Sequence, residues 1–185
     1  MGFVLLAVVV VVALWVVTAY NKLIALKNQV ANGWKQIDVQ LKRRHDLIPN
    51  LVNAVKGAMD FEKSTLEAVI SARNKAVSAT GVAQVAKAEG ELTQALGRLF
   101  ALSENYPQLK ATSNIQQLQE ELVSTENKVG FARQLYNDVA TSYNTAQQQF
   151  PTNLVAGLAK ATPAELWEIE DAAERAVPNV DLKMN

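Results

Sequence analysis

Between Gly2 and Tyr20 the chain carries no charged side chain, and the run is mostly Val, Leu and Ala, with Trp15 and Tyr20 near its far end. A helix of that length covers about 28 Å, close to the roughly 30 Å hydrocarbon thickness of a bilayer. One membrane crossing is expected. A cleaved signal peptide would show a basic start, a shorter apolar core and a small-x-small cleavage site. No Lys or Arg precedes this run, and it passes into helix-compatible sequence without Pro or Gly, so retention as an anchor is expected. Lys22, Lys27, Lys35, Lys42, Arg43 and Arg44 follow the run against one acid, Asp38. Basic residues beside a span tend to stay on the cytoplasmic side, which predicts an outside N-terminus and a cytoplasmic C-terminal domain.

The other 165 or so residues suffice for a packed core. With 18 basic and 18 acidic side chains the net charge is zero, which gives no electrostatic footprint for nucleic acid. The absence of cysteine excludes disulfides, thiolate nucleophiles and cysteine-ligated metals. Val30, Trp34, Ile37, Leu41, Ile48, Leu51, Val55 and Ala58 follow one three-and-four spacing, interrupted at Arg44, and so form one helix stripe. Pro49 predicts a kink or short break over His45–Pro49, after which the pattern resumes through Leu66, Val69, Ile70 and Val77 to end before Thr80-Gly81. The anchor should thus lead into a very long, kinked helix. A second helix is expected over Val82–Ser103, closed by Asn105-Tyr106-Pro107, and a third from Ser113, where Ser113 and Gln116 have capping-box spacing. The third has a long seam of Ile115, Leu118, Leu122, Val129, Ala132, Tyr136, Val139, Tyr143 and Phe150, ended by Pro151. Beyond it a short acidic helix over Pro163–Ala176 is expected, capped by Thr162. The organisation is an anchor over 1–20, a helical bundle over 21–150 and a tail over 151–185. No strand pattern occurs, so the class is all-α, with up-and-down neighbours.

The run from Gln36 to Val52, with Leu41-Lys42-Arg43-Arg44-His45-Asp46-Leu47-Ile48-Pro49-Asn50-Leu51 at its centre, resembles the signature of the LemA family of bacterial membrane proteins. The likeness extends to Tyr20-Asn21-Lys22-Leu23, Ala72-Arg73, Glu104-Asn105-Tyr106-Pro107, Thr125-Glu126-Asn127, Ala132-Arg133 and Tyr136-Asn137, in order along nearly the whole chain. It implies one N-terminal span with the N-terminus outside the bacterial inner membrane, and a four-helix bundle in which the long kinked helix counts as two. It implies no biochemical activity. The family's genomic neighbourhoods suggest an envelope scaffold or adaptor whose partners are the lipid bilayer, another membrane protein such as a membrane protease, or copies of itself. Gly33 beside Trp34 departs from the pattern, where a better helix former is expected.

No catalytic, cofactor-binding or metal-ligating set stands out. His45 is the only histidine, and a general base needs a positioned nucleophile while a metal needs further donors. The Glu-x-x-His spacing of di-metal bundles is absent, as are phosphate loops and nucleophile elbows. Arg44, His45, Asp46 and Pro49 therefore read as a structural kink, the charged cluster being solvated or pinned on helix-end carbonyls. Glu89 and Glu126 are candidates to face inward and pair with Arg73 or Arg133 as a register-fixing ion pair. Glu165, Trp167, Ile169 and Glu170 have the make-up of a partner-binding element, against the alternative of a tail packing back on its own domain. The leading reading is a non-enzymatic, membrane-tethered scaffold. The rival is a metal-binding or enzymatic bundle using His45 and nearby carboxylates such as Glu126.

Overall fold

The computed structural model describes residues 1–56, 63–110 and 112–168. Their elements are α1 (Gly2–Lys56), α2 (Lys63–Ser78), α3 (Val82–Ser103), α4 (Pro107–Lys110), α5 (Ser113–Gln148) and α6 (Asn153–Ala156). Among the described residues there is no strand, and the all-α class holds.

Four helices make the bundle, and their shared contacts give the directions. Leu23 of α1 packs near Ala146 of α5, Gly33 near Tyr136 and Arg44 near Glu126, so α5 runs antiparallel to α1. Arg73 of α2 reaches back to His45 of α1, while Ala79 meets the cluster around Ile37 and Leu41. Hence α2 descends where α1 ascends. Gly81, at φ 80, makes the tight turn into α3, a left-handed conformation that an L side chain resists. α3 then rises alongside α1, with Val85 level with Ile37 and Leu41 and Glu89 level with Arg44. Gly33 faces α5 at this level, and a Cβ there would meet the Tyr136 Cα at 3.4 Å, an ordinary van der Waals contact, so the packing does not by itself require glycine.

Three expectations need correction. The long helix does not continue from α1 through Val77: the His45 carbonyl receives a hydrogen bond from Arg73 Nε at 3.3 Å, whereas a continuous helix would hold residues 28 apart at about 42 Å. Of the kink or short break expected over His45–Pro49, the break does not occur, since Pro49 lies inside α1. Proline has no N–H to give the carbonyl four residues back, which is that of His45, and the Arg73 guanidinium of α2 donates in its place. Lastly, Thr112, with extended backbone angles, stands at the N-cap of α5 where Ser113 was expected, so Ser113 and Gln116 do not form a capping box.

The first residues of α1 stand apart from the bundle. Most side chains from Gly2 to Leu14 are exposed although nearly all are apolar, and this is the one described helix long and apolar enough to cross a membrane. An apolar surface unmatched by any packing partner is what a lipid-facing helix shows.

Candidate functional site

The apolar seams of three bundle helices each skip a turn at the same height. On α1 the gap lies between Leu41 and Ile48, on α3 between Val85 and Leu92, where only the small Ala88 is apolar and buried, and on α5 between Leu122 and Val129. Arg44 and His45, Glu89, and Thr125 with Glu126 fill these gaps. Arg44 Nη1 donates to Glu89 Oε2 at 3.0 Å and Nη2 donates to Thr93 Oγ1 at 2.8 Å. Nη2 also lies 3.0 Å from Glu126 Oε2, an ion-pair contact outside hydrogen-bond geometry. His45 Nε2 meets the second Glu89 oxygen, Oε1, at 2.6 Å. An ionised carboxylate only accepts, so against ionised Glu89 this ring nitrogen carries the hydrogen. Thr125 returns its hydroxyl to the Glu121 carbonyl at 2.7 Å.

The Arg44 and Glu89 side chains are each 4% exposed, so both have left water. A buried charge is tolerated only when paired and hydrogen-bonded, and this layer meets that condition. It also divides the core. One apolar cluster lies beyond it, around Leu51, Val69, Leu92 and Leu99, and another lies toward the anchor, around Ile37, Leu41, Val129 and Tyr136.

Beside this layer a cleft of about 340 Å³ opens between α3 and α5, lined by Arg44, Glu89, Glu126, Arg133 and Trp167 among others. Its charges are mixed. Among the described residues no group of three His, Asp or Glu side chains is placed to hold a metal. His45 and Glu89 supply two donors, and the Arg44 guanidinium occupies the space beside them with a charge that repels cations.

The far wall of the cleft belongs to the tail. Residues 161–168 form no helix or strand where the beginning of an acidic helix was expected. Two asparagines one heptad apart on α5 explain why. Asn144 accepts from the Ala164 N–H at 2.7 Å and donates to the Ala164 carbonyl at 2.8 Å. Asn137 does the same for Trp167, at 2.9 and 3.0 Å. Each side-chain amide imitates a strand neighbour, which satisfies an extended backbone and removes the reason to coil. Tyr136 adds a third tie, its hydroxyl donating to the Glu165 carbonyl at 2.7 Å. Burial, and then the Glu165 carboxylate, push this phenol above its ordinary value of 10.0. The Trp167 ring lies 6.0 Å from that of Trp34, which meets Tyr136 edge-on at 5.5 Å, and the Arg133 guanidinium stands 5.7 Å over Trp167.

These positions revise the sequence reading of the site. Arg44 and His45 are buried in an ion-pair layer and are neither solvated nor pinned on helix-end carbonyls, while Asp46 and Pro49 are exposed. Glu89 and Glu126 do approach an arginine, but it is Arg44, whereas Arg73 caps the His45 carbonyl and Arg133 covers Trp167. Trp167 is 4% exposed and packs on its own bundle, whereas Glu165 is exposed. Ile169 and Glu170 lie outside the described residues, as does the rest of the expected helix. The three coincident seam gaps were the signal that could have located the layer.

The family model of the LemA family matches residues 33–182. Protein LemA of Metamycoplasma hominis is 29% identical over 138 residues, covering 74% of this chain and 63% of that protein. Magnetosome protein MamQ 2 of Paramagnetospirillum magneticum is 23% identical over 184 residues, with 85% of this chain and 68% of its own length aligned. Magnetosome protein MamQ of Magnetospirillum gryphiswaldense is 22% identical over the same shares. The chain thus spans less than two thirds of the Metamycoplasma protein. Since the match takes in the polar layer, the asparagine pair and all the bundle helices but the first part of α1, this chain belongs to the LemA family.

Proposed function

We propose that the chain is a membrane-tethered helical scaffold of the bacterial cell envelope, held by one span and acting through protein–protein contact on the outer face of the α1–α5 pair. The observation that carries this reading is an apolar ridge in water. Phe131 is 73% exposed, and Val39, Val123 and Leu135 stand exposed around it, between two shallow grooves that share Lys128 and Phe131. Large side chains grouped in this way on a well-packed bundle mark a contact surface. The occupant on this reading is another envelope membrane protein or a second copy of the chain. The basic residues after the span favour a bundle on the cytoplasmic side of the inner membrane.

The enzymatic alternative using His45 is disfavoured by the same geometry that buries it. Its Nε2 is engaged by Glu89, which Arg44 also holds. A photo-crosslinking amino acid placed at Phe131 in native membranes tests the scaffold. We expect a discrete adduct that is absent with the same probe at Ile70, an exposed apolar position on α2, and that is lost when Val39→Asp is added. Equal labelling from Phe131 and Ile70 would remove the ridge from consideration.

A further inference from the structure

Antiparallel packing brings the end of α5 back to the level where α1 leaves its apolar run. Leu23 is packed by Ala146 and Ala159, with Ile24, Leu26 and Ala156 around them. Tyr20 is three residues away along α1, about 4.5 Å of rise. Cover extends further still, since Ala19 is buried and Trp15 and Val16 are half-buried, and α6 is in contact with α1. The α5–α6 corner therefore lies at the depth of the last turns of the apolar run.

The corner has the composition for that depth. No charged residue occurs from Val139 to Ala159. After Pro151 the chain coils through α6 and the turn at 157–160, and its side chains divide into two apolar faces. Val155 and Ala159 point into the bundle at 2% and 7% exposure. Leu154 and Leu158, four apart along the coil, are 67% and 70% exposed, and Phe150, just before it, is 80% exposed. A coil that is apolar on both faces is surrounded by apolar material, and the bundle supplies only half of it.

The turn ends in a way that adds a cation. The Ala161 N–H bonds to the Ala156 carbonyl at 3.0 Å and the Lys160 N–H to that of Gly157 at 3.1 Å, the pair of bonds that defines a Schellman cap. The residue at its left-handed position is usually glycine, but here it is Lys160, at φ 46 and exposed. A lysine kept at a position strained for it points to use of the ammonium group. Lys22, also exposed, follows Tyr20 on α1.

We propose that the α5–α6 corner is a second membrane contact, in which Phe150, Leu154 and Leu158 enter the interfacial layer of the leaflet from which α1 emerges, with Lys160 and Lys22 at the phosphate headgroups. The occupant is the lipid bilayer because the apolar face is continuous with the span, and amphipathic segments rest about 5–10 Å into that boundary with lysines reaching to the headgroups. The inference rests on reading Gly2–Tyr20 as a span. Its effect is to hold the bundle against the membrane at two points, which fixes the side that the Phe131 ridge presents.

The chain has no cysteine, so single-cysteine variants of the full protein report cleanly. Val9→Cys, Leu154→Cys, Leu158→Cys and Ile70→Cys, each carrying an environment-sensitive fluorophore, are reconstituted at high lipid excess into phosphatidylcholine–phosphatidylglycerol vesicles. Quenching is read with spin-labelled phosphatidylcholine and with aqueous iodide. We expect labels at 154 and 158 to be quenched several-fold more by the lipid quencher than the label at 70, and several-fold less by iodide. Quenching of 154 and 158 like 70, with 9 in lipid, overturns the corner contact and leaves the span. Protection of 154 and 158 from both quenchers would mean cover by a second copy and also overturns it. An iodide-accessible label at 9 overturns the anchor and the corner together.

Discussion

Glu89 gives each of its oxygens to a different side chain, one to Arg44 and one to His45, from a position almost closed to water. Removing it alone leaves the guanidinium the Thr93 hydroxyl and, as counter-charge, the half-exposed Glu126. Glu89→Leu should therefore cost about 3 kcal/mol, the lower end for breaking a buried pair, while Arg44→Met with Glu89→Leu should recover at least half of that. Denaturant unfolding in detergent, followed by circular dichroism, checks both; a double variant no more stable than the single one would mean that the layer is not a closed pair. Tyr136 makes a pH prediction. Its folded phenol holds the proton above the ordinary 10.0, so the unfolded chain ionises first as pH rises. Its contribution to stability is complete below about 10 and is lost as pH climbs through the folded value. Tyr136→Phe should lose about 1 kcal/mol at neutral pH with the Glu165 bond, and should show a shallower decline above pH 10 than the wild type. Parallel alkaline slopes would refute the assignment. At this scale the sequence marked Glu89 and Glu126 as candidates to face inward, which Glu89 does while Glu126 stays half-exposed, but not which arginine they meet. Partner choice depends on the relative height of helices far apart in the chain, and a one-dimensional pattern records height only within one helix.

The elements whose limits depend on their own residues were legible. Val82–Ser103 was read from its apolar period and the closing Asn-Tyr-Pro, and the end of α5 from Pro151, because local chemistry decides both. Elements decided from outside were misread. The helix continuity at Pro49 depends on a donor from α2, and the non-helical form of 161–168 depends on Asn137 and Asn144. Changing both asparagines to alanine should free that segment while leaving the bundle helical. In hydrogen exchange the amides of Ala164 and Trp167, protected in the wild type, should then approach the rates of an open chain; unchanged protection would assign the clasp to the aromatic stack alone. The polar layer acts at this scale too. Sliding α1 or α3 by a heptad would set Arg44 against Val82 or Leu96 and leave both charges unpaired, so the layer admits one register for α1, α3 and α5.

For the whole molecule, the all-α class and the apolar first segment followed from pattern alone, while the path of the chain did not. The seam after Pro49 has the same period in a continuous helix as in one folded back, so periodicity could not show that α2 descends beside α1. The structure also joins what a domain boundary at residue 20 separates, since α1 crosses that point as one helix from Gly2 to Lys56. No hinge lies between the apolar run and the bundle. From Leu23 to Val55 the helix extends about 48 Å, so a span that leans by about 10° to suit a thinner bilayer carries the far end of the bundle sideways by about 8 Å. The continuous α1 thus makes the protein a lever: small changes in membrane thickness become large displacements at its tip, where a neighbouring molecule is within reach or is not.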